Sequence, residues 1–186
     1  MVDKSRMIDG SSIQTGDTLI GLASSGLHSN GFSLVRKLVL GSGVHRLDDV
    51  PQDFEKPLGQ TLLTPTTIYV KPLMSLNARV EVKGLAHITG GGFTGNIPRI
   101  LPPDKSVRIT ISSWHIPPVF RFLQKLGSLE DSDMFETFNM GIGMVAVVNP
   151  ADTSMALECL RENGVESWVI GEVTSSDNCG PRVSIV

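Results

Sequence analysis

The chain has 186 residues, enough for one domain with its own hydrophobic core. Hydrophobic residues make up 40% and charged residues 19%, which excludes a disordered polymer or a fibrous repeat. A formal charge of −3 gives no broad attraction for nucleic acid or an anionic membrane, though it permits a local basic pocket around a small phosphate.

Apolar runs such as Gly141 to Val148 are too short to span a bilayer, and the first six residues have no apolar signal core. Cys159 and Cys179 form neither a metal spacing nor a disulfide framework, which points to a reducing, cytoplasmic setting. Cys159 falls in a helical pattern and is expected in the core.

The first element is an apolar run, Thr18 to Ala23, read as a buried strand. It enters a polar loop, Ser24 to Asn30. A helix follows, with Phe32, Val35, Leu38 and Val39 on one face and a stop near Gly41. Ser42 to Leu63 is rich in Gly, Pro and Asp and reads as a long, partly irregular connection. Thr66 to Arg79 is expected to be helical, kinked at Pro72. Leu85 to Thr89 reads as a short strand leading into Gly90, Gly91 and Gly92. Ser106 to Ser112 alternates as a strand should, and Pro117 to Leu126 is a helix opened by prolines. Asp133 to Phe138 reads as a short helix, Gly141 to Val148 as a buried strand. Asp152 to Asn163 is a helix ended by Asn163-Gly164. Ser167 to Val173 and Pro181 to Val186 are closing strands. The alternation predicts an α/β or α+β sandwich on a mixed sheet.

Two constellations carry chemistry. Ser24, Ser25, Gly26, Leu27, His28, Ser29, Asn30 and Gly31 join a strand to a helix. Unpaired N–H groups at a helix start favour anions, and glycine lets a phosphate approach the backbone. Hydroxyl and amide groups there can also bond a sugar, and His28 is the loop's only side chain of a type that ordinarily titrates near neutrality. The competing reading is that Ser29 or Asn30 merely caps the helix. His87, Thr89 and the three glycines make the second constellation. Successive glycines either form an anion-binding nest or mark close approach of another backbone. Two such loops on neighbouring strands could grip opposite ends of a phosphorylated ligand. His45 and His115 are expected in surface or packing roles, and the acidic groups near Asp48 and Asp131 as solvated faces. No metal site is expected.

Three segments resemble one family. GDTLIGLASSGLHSNGFSLVRK (Gly16 to Lys37), AHITGGGFTGNIPRILP (Ala86 to Pro102) and TFNMGIGMV (Thr137 to Val145) are similar to signatures of the phosphoribosylformylglycinamidine cyclo-ligase, or aminoimidazole ribonucleotide synthetase, family. The stretches Trp114 to Gln124 and Ile170 to Val186 also look like it, so the likeness covers nearly the whole chain. One departure is Gly95, where the family often has an acidic residue.

The resemblance implies an α+β domain with a mixed sheet packed by helices: residues 1–186 as a single C-terminal domain, the N-terminal ATP-binding domain being absent. The lead-in Val2 to Asp9 resembles an interior strand of the family. The implied activity is a ligase of purine biosynthesis: ATP-dependent cyclisation of formylglycinamidine ribonucleotide to 5-aminoimidazole ribonucleotide, this half being inactive alone. ATP with Mg²⁺ would bind largely through the other domain, and the full-length protein would be a cytoplasmic homodimer. His28 is assigned to proton transfer. Ser24, Ser25, Gly26, Ser29, Asn30, His87, Thr89, Gly90, Gly91 and Gly92 are assigned to ribonucleotide and phosphate binding. The alternatives are a selenophosphate synthetase-like kinase of the same superfamily and a non-catalytic binding module.

Overall fold

The computed structural model describes residues 7–41, 43–176 and 180–186. Cys179 and residues 2–6 of the lead-in lie outside them. The strands are Thr18–Ala23 (β1), Val82–His87 (β2), Lys105–Ile109 (β3), Ile142–Val148 (β4), Ser167–Ser175 (β5) and Val183–Ile185 (β6). They form one sheet in the order β2-β4-β1-β5-β3-β6. Every pairing is antiparallel except that of β3 with β6. The helices are Phe32–Val39 (α1), Leu58–Leu62 (α2), Val70–Arg79 (α3), Gly92–Asn96 (α4), Pro118–Gly127 (α5), Asp131–Thr137 (α6) and Thr153–Glu162 (α7). The α+β class with a mixed sheet agrees with the sequence reading. No helix among the described residues is long and apolar enough to cross a membrane.

The sheet separates two cores because its central strands are apolar on both faces. Along β4, Ile142, Val145 and Val147 pack one way, while Ala146 and Val148 pack the other. The first core is closed by α1, α2, α4, α5 and α6, the second by α3 and α7. Helix spacing decides the fit: Val119, Phe120 and Leu123 form the buried stripe of α5, and Ala156, Cys159 and Leu160 that of α7. Each fully buried large side chain contributes about 1.5–3 kcal/mol. Cys159 is in the core, as expected.

Several elements depart from expectation for identifiable reasons. Helix α3 starts at Val70 rather than Thr66. Pro72 then falls in the first turn, where no intrahelical N–H bond is due, so it need not kink the helix. β2 begins at Val82 because Lys83 is buried with its ammonium 2.7 Å from Asp17, which reads in sequence as a polar edge. β3 ends at Ile109, and Ile111–Ser113 turns into a 3₁₀ helix. The unforeseen α4 starts at the glycine triplet itself. Close by, the Arg182 guanidinium, just before β6, donates to the carbonyls of Pro98, Leu101, Pro102 and Lys105.

Candidate functional site

β1 and β2 are both antiparallel to β4, so they run the same way and release their loops at one end of the sheet. They are not neighbours, contrary to expectation: β4 lies between them. The start of β4 is therefore the floor between the two loops. Here Gly143 matters. A Cβ on it would lie 2.2 Å from the Tyr69 hydroxyl and 2.5 Å from His28 Cε1.

Three rings gather at this place. His28 and Tyr69 have centroids 6.1 Å apart, His28 and His87 6.4 Å, and Tyr69 and His87 6.3 Å. His87 is exposed, while His28 is 5% exposed. His28 takes the left-handed backbone conformation, with φ of 55°. Its Nε2 accepts from the N–H of Ser25 (3.2 Å) and of Thr67 (3.4 Å). A nitrogen that accepts twice carries no proton, so the proton of this neutral ring is on Nδ1, which is buried without a partner. Burial, aided by the charge His87 can carry, pushes the His28 pKa down to about 4. The Tyr69 hydroxyl donates to the Ala23 carbonyl at 2.6 Å, and burial raises its pKa to about 12.

The polar side chains of the first loop are largely spent on its own shape. Ser24 Oγ donates to Asn139 Oδ1 at 3.0 Å, Ser25 Oγ to the Pro65 carbonyl at 2.6 Å, and Asn30 Nδ2 to the Ile88 carbonyl at 3.4 Å. Gly31 caps α1 with φ of 69°, and a Cβ there would lie 2.3 Å from the Phe138 ring. Ser29 and Asn30 make no side-chain cap on α1, so the capping alternative does not hold for this helix. Among the described residues, no group accepts from the backbone N–H of Gly26, Leu27, His28 or Ser29. A shallow cavity of 380 Å³ adjoins Ser25 and Gly26 and is also lined by Lys56, Thr61, Thr64 and His115. His115 is exposed at this cavity, the surface one of its two expected positions.

Of the two readings of the second loop, the close approach of another backbone is the one observed. Gly92 is where another backbone approaches: a Cβ there would lie 1.8 Å from the Phe135 carbonyl oxygen, and its φ is 56°. Gly91 caps α4 with φ of 93°. Gly90 has nothing within 4 Å of a Cβ position and is the open part of the loop. The buried Asn96 holds the turn, its Nδ2 donating to the carbonyls of Gly92 (2.7 Å), Thr89 (3.2 Å) and Gly90 (3.3 Å). Thr89 Oγ1 donates back to Asn96 Oδ1 at 3.2 Å. A side chain at Gly95 would meet nothing within 4 Å, so the acidic residue common in the family would have room.

The two asparagines that organise the loops, Asn96 and Asn139, were not singled out from sequence. Both lie inside segments that carry the family resemblance, which was the available signal. Among the described residues, no group of three or more His, Cys, Asp or Glu side chains could hold a metal ion.

Residues 14–184 match the family model described as AIR synthase related protein, C-terminal domain. The chain belongs to this family. It is 49% identical over 177 residues to the phosphoribosylformylglycinamidine cyclo-ligase of Carboxydothermus hydrogenoformans, covering 95% of this chain and 51% of that protein. The chain therefore spans about half the length of the curated relatives it matches. Among solved structures, thiamine-monophosphate kinase from Stenotrophomonas maltophilia K279a superposes with a TM-score of 0.64 at 14% identity, over 99% of this chain and 54% of that one. The hydrogenase maturation protein HypE in complex with ATP gives 0.57 at 16%, over 95% and 49%. At such identities the likeness is one of fold.

Proposed function

We propose that this chain is the ribonucleotide-binding half of a phosphoribosylformylglycinamidine cyclo-ligase. The observation that carries the reading is the pair of glycine loops, released at one end of the sheet on either side of β4 and carrying the family's signature residues. In the proposed reaction, ATP phosphorylates the formyl-derived amide oxygen of formylglycinamidine ribonucleotide. An amidine nitrogen then attacks the activated carbon, and phosphate leaves with that oxygen to give 5-aminoimidazole ribonucleotide and ADP. Phosphorylation converts a poor leaving oxygen into a good one, and the protein's part is positioning and charge neutralisation.

The unpaired N–H groups of Gly26 to Ser29 suit an anionic end of the substrate. Ser24, Ser25, Ser29 and Asn30 form that wall, and His87, Thr89, Gly90, Gly91 and Gly92 form the other. His28 contacts the ligand as a neutral donor through Nδ1–H. The proton transfer expected of it would require Nε2 first to release Ser25 and Thr67. ATP use draws support from a structural neighbour solved with ATP. Mg²⁺ would arrive on the nucleotide's phosphates. The ATP site belongs largely to a preceding N-terminal domain, and the full-length enzyme is a cytoplasmic homodimer in this reading.

Calorimetric titration of this chain with formylglycinamidine ribonucleotide, and separately with Mg·ATP, tests the proposal. Binding of the ribonucleotide without nucleotide is the expected result. Tight Mg·ATP binding with no ribonucleotide binding would overturn the assignment of this half.

A further inference from the structure

Asn139 is 0% exposed, and all its polar atoms are used. Its Oδ1 accepts from Ser24 Oγ (3.0 Å) and from the Gly141 N–H (2.9 Å), and its Nδ2 donates to the Gly26 carbonyl at 2.9 Å. The last bond sets more than the position of an oxygen. The chain has no cis peptide bonds among its described residues, so the N–H of Leu27 points away from the Gly26 carbonyl in the same rigid plane. Holding that carbonyl against Asn139 points the Leu27 N–H in the opposite direction within the plane. Among the described residues nothing accepts from it. The neighbouring residue, His28, adds a second buried donor without a partner, Nδ1. Donors left open in this way in a loop otherwise closely bonded call for an acceptor from outside.

We infer that Asn139 is a positioning residue that fixes the Gly26–Leu27 peptide so that the Leu27 N–H receives the phosphate oxygen of the ligand. The identity of that ligand rests on the ribonucleotide reading above, but the orientation of the peptide does not. Asn139 touches no substrate in this arrangement. It acts through the peptide it holds, whose Gly26 lines the cavity described above. Leu27 itself is anchored in the core at 1% exposure, so its backbone cannot swing to compensate if the amide is lost.

Asn139→Asp keeps the shape and both accepting bonds but turns the Nδ2 donor into an acceptor facing the Gly26 carbonyl. Affinities of wild type and variant are measured for formylglycinamidine ribonucleotide and for the corresponding riboside, which lacks the phosphate. The ribonucleotide is expected to weaken about tenfold or more, as for loss of a bond to a charged group, with the riboside within about twofold. Equal weakening of both would reduce Asn139 to a structural residue and overturn the inference. A second measurement covers a variant that fails to fold. In the wild-type chain, titration with inorganic phosphate should shift the Leu27 amide resonance in a proton–nitrogen NMR spectrum, and an unmoved Leu27 amide sinks the inference. Ribonucleotide binding with no Leu27 shift would leave the functional reading standing without it. A phosphate-induced shift with no ribonucleotide binding would do the reverse.

Discussion

Gly143 and His28 meet so closely that a single added methyl group on the glycine would sit 2.5 Å from His28 Cε1. The Tyr69 hydroxyl closes the other side at 2.2 Å. Gly143→Ala must therefore push both rings off the floor between the loops. Ribonucleotide affinity is expected to fall about tenfold or more, with a stability loss of about 1–3 kcal/mol from overpacking. Calorimetry and urea unfolding on the same samples check the two effects, and an unchanged affinity would detach these rings from the site.

The depressed His28 pKa makes stability depend on pH. Unfolded, the imidazole takes up a proton near pH 6.5, whereas the folded ring resists it until about 4. Between those values the unfolded state binds more protons, so this contribution to stability is complete above pH 6.5 and is lost as pH falls towards 4. The slope reaches about 1.4 kcal/mol per pH unit for one group. Urea midpoints across this range should slope in wild type and flatten in His28→Gln, which has no proton to take up.

Within the glycine triplet, neighbouring positions should behave differently. Gly92→Ala forces a Cβ to 1.8 Å from the Phe135 carbonyl oxygen at positive φ and should cost about 2–4 kcal/mol. Gly90→Ala meets open space and should leave stability within about 0.5 kcal/mol. If the second loop contacts the ribonucleotide, Gly90→Ala nevertheless weakens its binding. Thermal melts together with a binding isotherm separate the two effects.

The buried pair Asp17–Lys83, 3% and 7% exposed, lies where β1 and β2 begin, away from the loops. Lys83→Met strands a carboxylate and should cost about 3–5 kcal/mol. Asp17→Asn combined with Lys83→Met should recover part of that loss. Urea unfolding of both variants measures the difference.

The strands and helices were legible where one physical pattern dominated. Thr18–Ala23 was read to the residue because a continuous apolar run between Asp17 and a polar loop leaves little choice. The start of β2 was not, since a lysine inside a strand announces an edge until its carboxylate partner, 66 residues away, is known. At the site, sequence found both loops and set the first between its strand and helix. It carried the second strand to Thr89, where β2 ends at His87, and missed that Gly92 opens α4. It could not foresee that β4 would lie between the two loops, because strand order is decided by long-range pairing. Nor could it foresee that the hydroxyls of Ser24 and Ser25 would be bonded to Asn139 and to the Pro65 carbonyl. Asn139 bonds across 113 residues to Gly26, a relationship with no local periodicity to betray it.

Arg182 ties these distances together in another way. Its guanidinium gathers carbonyls up to 84 residues earlier, along the stretch that follows α4 and so follows the second glycine loop. One late side chain is thus the clasp of an early turn. A deletion reaching Arg182 would untie that turn together with β6. For anyone trimming or tagging this chain, the far end is the one to leave alone.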